Sequence, residues 1–138
     1  MDLVIDANIV FSALISSEGK TAELLFSNKV KLFAPEFLFE EIEKYKEEII
    51  QKSGLSEVEF DLALAIIKSK ISVVPEQEFS SSFAQAEEVC PDPNDREYFA
   101  LAISLHCSIW SNDKRLKNQN DINVISTTEL LDKLNLIT

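Results

Sequence analysis

Short strand-like segments alternate with helical patterns along this chain, and this alternation restricts its fold more than any other feature. Apolar, β-rich runs occupy residues 3–5, 30–34, 71–74, 108–111 and 123–125. The clearest helical patterns occupy residues 21–28, 36–51, 56–69, 81–89, 94–106 and 128–134. Gly54, Leu55 and Ser56 separate the two long middle helices and predict a helical hairpin. Strands that alternate with helices indicate an α/β fold, a parallel sheet covered on both faces.

Length and composition predict one domain, residues 1–138, because 138 residues are too few for two ordinary domains. Hydrophobic residues make up 46% of the chain, which excludes a disordered protein. The N-terminus carries no secretory signal, and the longest apolar stretches are far shorter than the ~20 residues of a membrane span. We therefore expect a cytoplasmic protein that does not contact a membrane.

The chain is strongly acidic, with 24 acidic and 13 basic side chains and a formal net charge of −11. A general nucleic-acid binder normally has a basic excess, so this balance counts against a protein that passively coats RNA or DNA. It does not exclude a nuclease whose own carboxylates must gather cations.

Chain order alone places two aspartates at one edge of the predicted sheet. Asp6 closes the first strand, and Asp113 directly follows the fourth. In right-handed β-α-β units each strand ends at the carboxyl edge, where the following helix begins. A charge that closes a buried apolar strand is unusual, which favours a functional role for Asp6. Asp113 could equally be the N-cap of the next short helix.

The helix predicted at residues 36–51 brings a glutamate to the same edge. Its apolar stripe consists of Leu38, Ile42, Tyr45 and Ile49. At ~100° per residue, Glu41 borders this stripe near the strand ends, whereas Glu40 points away into water. The alternative is that Glu41 is an ordinary solvated helix acid.

The helix predicted at residues 94–106 supplies the fourth acid. Its inward stripe consists of Phe99, Ala102, Ile103 and His106. Asp95 heads this stripe, four residues before Phe99, at the end of the helix that lies at the carboxyl edge. Asp95 could instead be a first-turn acid favoured by the helix dipole, with Asp92 as N-cap.

These four acids come from separate segments and share one edge of the sheet, and this joint placement favours a metal site. Clustered carboxylates repel one another and raise one another's pKa unless cations neutralise them. Oxygen ligands without His or Cys indicate Mg²⁺ or Mn²⁺. One or two such ions can activate water and stabilise the leaving oxygen of a phosphodiester.

Four segments in the expected order, covering essentially the whole chain, resemble the motifs of the PIN domain family. They are DANIVFSAL, PEFLFEEI, DPNDREYFALA and SNDKRL. The resemblance assigns the metal-binding and catalytic roles to four acids: Asp6, Glu41, Asp95 and Asp113. It adds accessory roles for Asp92, Ser111 and Asn112. Family members often have Thr or Ser after the first aspartate, where this chain has Ala7, so any hydroxyl there must come from elsewhere.

Asn8 has two readings in the first motif. It could orient Asp6 through a hydrogen bond, or it could cap the helix that follows.

The resemblance implies a three-layer α/β/α sandwich whose parallel sheet has strand order 3-2-1-4-5. Strands one and four are then neighbours at the topological switch point, where ligands bind. It also implies an endoribonuclease that uses Mg²⁺ or Mn²⁺ to hydrolyse single-stranded RNA, with a role as the toxin of a toxin–antitoxin pair. Candidate protein partners are an antitoxin and, as a homodimer, a second copy of the chain.

The sequence says less about where RNA would bind than about which acids form the site. The only dense basic patch beside the acids is formed by Lys114, Arg115 and Lys117. These side chains could contact phosphates, or they could belong to a solvated charged turn. Trp110 lies in the middle of a strand and is expected in the core. His106 ends its helix at the opposite edge of the sheet, which argues against a role as ligand or base.

Two other functions fit parts of the pattern. A catalytically silent PIN-like scaffold would keep the fold without turnover, although all four acids are present. A phosphatase of the haloacid dehalogenase type needs a second aspartate two residues after the first, and Asn8 stands there.

Overall fold

A computed structural model describes residues 1–134 of the chain, and its centre is one parallel sheet of five strands in the order β3-β2-β1-β4-β5. The strands are β1 Asp2–Ile5, β2 Lys31–Pro35, β3 Ile71–Val74, β4 Ser108–Trp110 and β5 Val124–Ile125. The predicted α/β/α sandwich and strand order 3-2-1-4-5 are therefore confirmed, and no strand end differs from its predicted position by more than one residue.

The register of β1 and β4 determines which residues meet at the carboxyl edge. Ile5 pairs with Trp110, so the residues that follow them, Asp6 and Ser111, leave adjacent strands side by side. On its other side β1 pairs with β2, and Leu3 lies opposite Leu32. β1 is thus the central strand, and its end lies at the switch point between the two halves of the sheet.

Within the described residues 1–134, eight α-helices flank the sheet. They are α1 Ala7–Ile15, α2 Lys20–Leu25, α3 Phe37–Lys44, α4 Lys46–Ser53, α5 Glu57–Ser69, α6 Phe83–Val89, α7 Arg96–Leu105 and α8 Thr127–Lys133. Helix α7 packs across β1, β2 and β4, and α6 packs on α7. Helix α1 packs against α2, α3, α4 and α5. Within residues 1–134, no helix has the length and apolar character that crossing a membrane requires.

The hairpin between α4 and α5 follows from two local signals. Gly54 has φ 75°, the left-handed conformation that ends a helix and that glycine adopts at low cost. Ser56 then begins α5 with a capping box, in which its side chain and that of Glu59 each accept from the other's backbone N–H. The predicted helical hairpin is confirmed.

Two details of the helix predictions are wrong. The single helix predicted at 36–51 is interrupted at Tyr45 (φ −104°, ψ 10°), which leaves this ring at the surface rather than in the apolar stripe. At the end of α7, His106 adopts the left-handed conformation (φ 54°) and is exposed, so it does not continue the inward stripe. In both places the helix ends before its periodic pattern does.

The core is one continuous cluster of apolar side chains on both faces of the sheet. Its largest fully buried members are Trp110, Tyr98, Phe60, Phe79 and Phe99. The indole N–H of Trp110 donates to Thr127 Oγ1 at 3.1 Å, which satisfies the one polar group of this ring. The predicted core position of Trp110 is confirmed.

Replacing a core leucine should cost far more stability than replacing an exposed one. Leu24 in α2 is 0% exposed, whereas Leu62 in α5 is 61% exposed. Leu24→Ala should lower the free energy of unfolding by about 2–5 kcal/mol, through lost burial and the cavity left behind. Leu62→Ala, the matched control, should change it by about 0.5 kcal/mol or less. Denaturant titrations measure both values, and equal losses would contradict this packing.

Candidate functional site

The four predicted acids lie at the carboxyl edge of the sheet. Asp6 follows β1 and Asp113 follows β4; Glu41 lies in the middle of α3, and Asp95 directly precedes α7. Glu41, Asp95 and Asp113 line one cleft with a volume of about 780 Å³. Asp6 is 4% exposed and does not line the cleft, but its charge acts on this cluster from the end of β1.

Asp6 is held by hydrogen bonds at both carboxylate oxygens. Its Oδ1 accepts from the backbone N–H of Ile9 at 3.2 Å, which makes Asp6 the N-cap of α1. Its Oδ2 accepts from the hydroxyl of Ser111, a buried residue. Ser111 Oγ also accepts from the backbone N–H of Asp113 at 3.1 Å. One serine therefore fixes the positions of two of the acids.

The carboxylates in this cluster make one another's ionisation less favourable. The pKa of Asp6 is raised to about 7, mainly by burial and also by the nearby carboxylates of Asp95 and Asp113, and the hydrogen bonds from Ser111 and Ile9 oppose this rise. Burial also raises the pKa of Asp95 to about 6, with added repulsion from Asp92, Asp113 and Glu41. Both acids therefore hold a proton more tightly than a solvated aspartate does.

Glu41 has a partner that the sequence analysis missed. The Tyr98 hydroxyl donates to Glu41 Oε1 at 2.6 Å, and partial burial raises the pKa of Glu41 despite this bond. Tyr98 stands three residues after Asp95 on the inward face of α7, and a buried Tyr hydroxyl needs a hydrogen-bond partner, which is the signal that could have found it. Glu41 is half-buried and Glu40 is exposed, as predicted.

Asp113 is paired with the basic residue two positions later. Arg115 Nε donates to Asp113 Oδ1 at 3.1 Å and Arg115 Nη2 to Oδ2 at 2.8 Å. These bonds hold the pKa of Asp113 below its usual range. The guanidinium also lies 3.9 Å from Asp92 Oδ2. Because Arg115 is largely exposed, the pair is weak and a charged ligand can compete for it.

The accessory residues are positioned by the local backbone. Asp92 caps the short 3₁₀ turn Pro93–Asp95 by accepting from the N–H of Asn94 at 2.9 Å. Asn112 Oδ1 accepts from the N–H of Thr127 at 2.8 Å, which ties the loop after β4 to the start of α8. Asn8 lines the cleft, but Asp6 itself caps α1 and takes its hydroxyl partner from Ser111.

The predicted basic patch is only partly at the cleft. Arg115 lines it, whereas Lys114 and Lys117 do not. Lys117 donates to Glu129 in α8, and Lys114 is exposed in the 3₁₀ turn Lys114–Lys117.

The site offers carboxylate, hydroxyl and amide oxygens, the donors that Mg²⁺ and Mn²⁺ prefer. Over residues 1–134, no three acidic or other ligating side chains already stand close enough together to hold a metal ion. The carboxylates repel one another, and three of them are hydrogen-bonded to protein groups: Asp6 to Ser111, Glu41 to Tyr98 and Asp113 to Arg115. A cation that draws the four acids together would relieve the repulsion that raises the pKa of Asp6 and Asp95. The donor chemistry fits such an ion.

The raised pKa values give stability a specific pH dependence. Between pH 4 and 7 the folded protein keeps protons on Asp6 and Asp95 that the unfolded chain releases, so stability in EDTA should fall as pH rises. The slope should approach about 1.4 kcal/mol per pH unit for each proton concerned.

Denaturant titrations in EDTA at pH 5, 6 and 7 measure this effect. Asp6→Asn removes one titrating group and should flatten the curve over that interval. Parallel curves for the wild-type protein and this variant would contradict the assigned protonation of Asp6.

Comparisons with solved structures show the same fold in three proteins at low sequence identity. VapBC2 from Rickettsia felis, solved bound to a DNA fragment from its promoter, has a TM-score of 0.65 at 15% identity, covering 91% of this chain and 98% of that one. PAE2754 from Pyrobaculum aerophilum has a TM-score of 0.65 at 14% identity, covering 99% and 91%. VapBC-1 from nontypeable Haemophilus influenzae has a TM-score of 0.59 at 14% identity, covering 93% and 99%.

The sequence itself carries the family assignment. No curated protein matches it significantly. The family model described as "PIN domain" matches residues 4–132. This range includes all four acids of the site and all five strands except the first two residues of β1. This chain belongs to the PIN domain family.

Proposed function

We propose that this protein is an endoribonuclease that uses Mg²⁺ or Mn²⁺ to hydrolyse phosphodiester bonds of single-stranded RNA. One observation carries the proposal: four acids from four segments meet at one edge of the sheet, three of them line one cleft, and burial and nearby carboxylates raise the pKa of Asp6 and Asp95. Such a cluster costs stability, and a function that needs cations at this point accounts for it. PIN domain membership supports the same assignment.

Asp6, Glu41, Asp95 and Asp113 would hold one or two divalent ions. A bound ion supplies the charge that activates water and stabilises the developing negative charge on a phosphodiester. The protein's own groups set the geometry for this chemistry. Ser111 orients Asp6 and the backbone of Asp113, and Tyr98 orients Glu41.

Arg115 has the best position to meet the substrate. It lines the cleft, and its guanidinium lies between Asp113 and Asp92. If Asp113 held a cation, this guanidinium would be free to bind a phosphate oxygen, a role for which its planar fork is suited. Lys114 and Lys117 would contact phosphates further along the strand.

The position of the only histidine in the sequence favours direct hydrolysis by water over attack by the 2′ hydroxyl. A histidine-based ribonuclease would leave a 2′,3′-cyclic phosphate, but the one histidine, His106, lies beside Ser108 at the start of β4. That is the edge opposite the acids. The products should therefore carry a 5′ phosphate and a free 3′ hydroxyl.

The biological role we propose is that of a toxin held by an antitoxin. Two of the structures similar to this chain are of proteins named VapBC, and part of the proposal is that this chain likewise has a protein partner. A homodimer is a further proposal. Co-purification of this chain with the product of a neighbouring gene would test the antitoxin directly.

Divalent metal should stabilise the folded protein. It binds the folded acid cluster and not the unfolded chain, and at 100 times the dissociation constant this is worth about 2.7 kcal/mol. Thermal melts with Mg²⁺, with Mn²⁺ and with EDTA measure the shift. Asp6→Asn should reduce it, and Glu40→Gln, which removes an exposed acid of the same charge, should not. If high concentrations of Mg²⁺ or Mn²⁺ leave the wild-type melting temperature unchanged, this result would count against the proposed metal site.

Cleavage should depend on one of two adjacent glutamates. Glu41→Gln should lower the rate by at least about 100-fold, because a ligand in the cleft is lost. Glu40→Gln should stay near the wild-type rate, since Glu40 is exposed and does not line the cleft. A 5′-labelled single-stranded RNA with Mn²⁺ or Mg²⁺ provides the assay, and EDTA should stop the reaction.

Three outcomes of the cleavage and metal-binding measurements would each contradict a part of the proposal. Products that end in a 2′,3′-cyclic phosphate would contradict the hydrolytic route. An equal loss of cleavage rate in Glu41→Gln and Glu40→Gln would contradict the orientation of α3, which directs only Glu41 to the cleft. Metal binding without any cleavage of RNA would instead favour a catalytically silent PIN scaffold.

A further inference from the structure

The cleft continues beyond the four acids, along the faces of α1 and α4. Its further lining residues include Phe11 from α1, Tyr45 from the junction of α3 and α4, and Lys52 from the last turn of α4. The proposed metal chemistry uses none of them. A cleft that extends past its reactive groups can take more of a substrate than the bond to be cut.

Tyr45 is the exposed aromatic group in this extension. Tyr45 is 37% exposed, and its ring forms a T-shaped pair with the ring of Phe11, with centroids 5.8 Å apart and planes at 74°. The backbone N–H of Tyr45 donates to the carbonyl of Glu41 at 3.2 Å, so the ring stands one helical turn from an acid of the cleft. The interruption between α3 and α4 falls at this residue.

Other aromatic residues in the described part of the chain have a different setting. Most pack in the core or against it. Phe26 is as exposed as Tyr45, at 42%, but it borders a separate apolar groove with Leu55 and Ile66 and does not line the cleft. Tyr45 therefore combines exposure with a position next to the acids, and Phe26 provides a matched control.

A lysine near Tyr45 can contact a phosphate. Lys44 Nζ lies over the Tyr45 ring, 5.3 Å from its centroid, and its charge also acts on Glu41. Lys52 pairs with Glu48 at 3.0 Å, but both side chains are more than half exposed, and such pairs are weak. Lys52 lines the cleft and is therefore able to turn towards a polyanion in it, whereas Lys44 is not among the residues that line it.

We propose that Tyr45 binds a nucleobase of the single-stranded substrate by stacking, next to the phosphodiester held at the acids. Phe11 packs against the ring, and Lys52 contacts a neighbouring phosphate. Stacking on an aromatic ring accepts any base but requires that the base leave its own stack, which a duplex resists. This inference rests on the proposed function for the placement of the cut bond.

Binding can be measured without cleavage in a Glu41→Gln background with Mg²⁺. The probe is a single-stranded oligoribonucleotide that contains 2-aminopurine, whose fluorescence is quenched when it stacks. Tyr45→Leu should weaken binding about tenfold and abolish the added quenching. Tyr45→Phe keeps a ring and should bind like the parent, and Phe26→Leu should have no effect. Unchanged quenching in Tyr45→Leu, or no binding by the parent, would overturn the base site.

Cleavage then separates this inference from the nuclease function. In the wild-type background, Tyr45→Leu should raise KM about tenfold while kcat changes less than about twofold, because a binding contact is lost and the acids remain. An abasic nucleotide at the stacked position should make wild-type and Tyr45→Leu proteins equal. Cleavage with an unchanged KM would overturn the base site alone. Tyr45-dependent binding without any cleavage would overturn only the nuclease function.

Discussion

The hydrogen bond from Ser111 to Asp6 joins the ends of β1 and β4, and the geometry of the acid cluster depends on it. It follows from strand pairing: Ile5 lies opposite Trp110, so the next residue of each strand is brought to the same point. Trp110 is in turn anchored to Thr127, and Thr127 to Asn112. The loop that carries Asp113 is therefore fixed from both the sheet and α8, and the acids inherit their positions from the core.

The same arrangement makes the cluster a source of instability. Each unit by which the pKa of a carboxyl is raised corresponds to about 1.4 kcal/mol of disfavoured ionisation. Burial of Asp6 and Asp95, together with the carboxylates beside them, thus acts against folding near neutral pH. The continuous apolar core must offset this cost, as is common where function requires like charges in one place.

Sequence patterns predicted what depends on chain order and periodicity. The hairpin at Gly54, the phase of Glu41 and the edge that collects the acids follow from such local signals, whereas the strand order was implied by the resemblance to the PIN domain family. What escaped prediction depends on tertiary contacts. The break at Tyr45 coincides with packing on Phe11, the bond from Tyr98 to Glu41 joins residues 57 apart, and the turn after β4 directs Arg115 onto Asp113. None of these has a periodic signature.

If the proposed function is right, the acidity of the chain constrains how it holds RNA. Its net charge is −11, and several basic side chains in the described region are already paired with acids, including Arg115, Lys52 and Lys117. Phosphate contacts alone gain affinity by releasing counterions, which an acidic surface with few free cations does poorly. On the proposed function, the substrate must be held by what such a surface can offer, cations gathered by the acids and an aromatic ring for a base. The cations and the aromatic ring each act over a short stretch of strand, so the protein would recognise only the nucleotides in the cleft. A rigid duplex, whose bases stay stacked, could not supply the contact proposed at Tyr45.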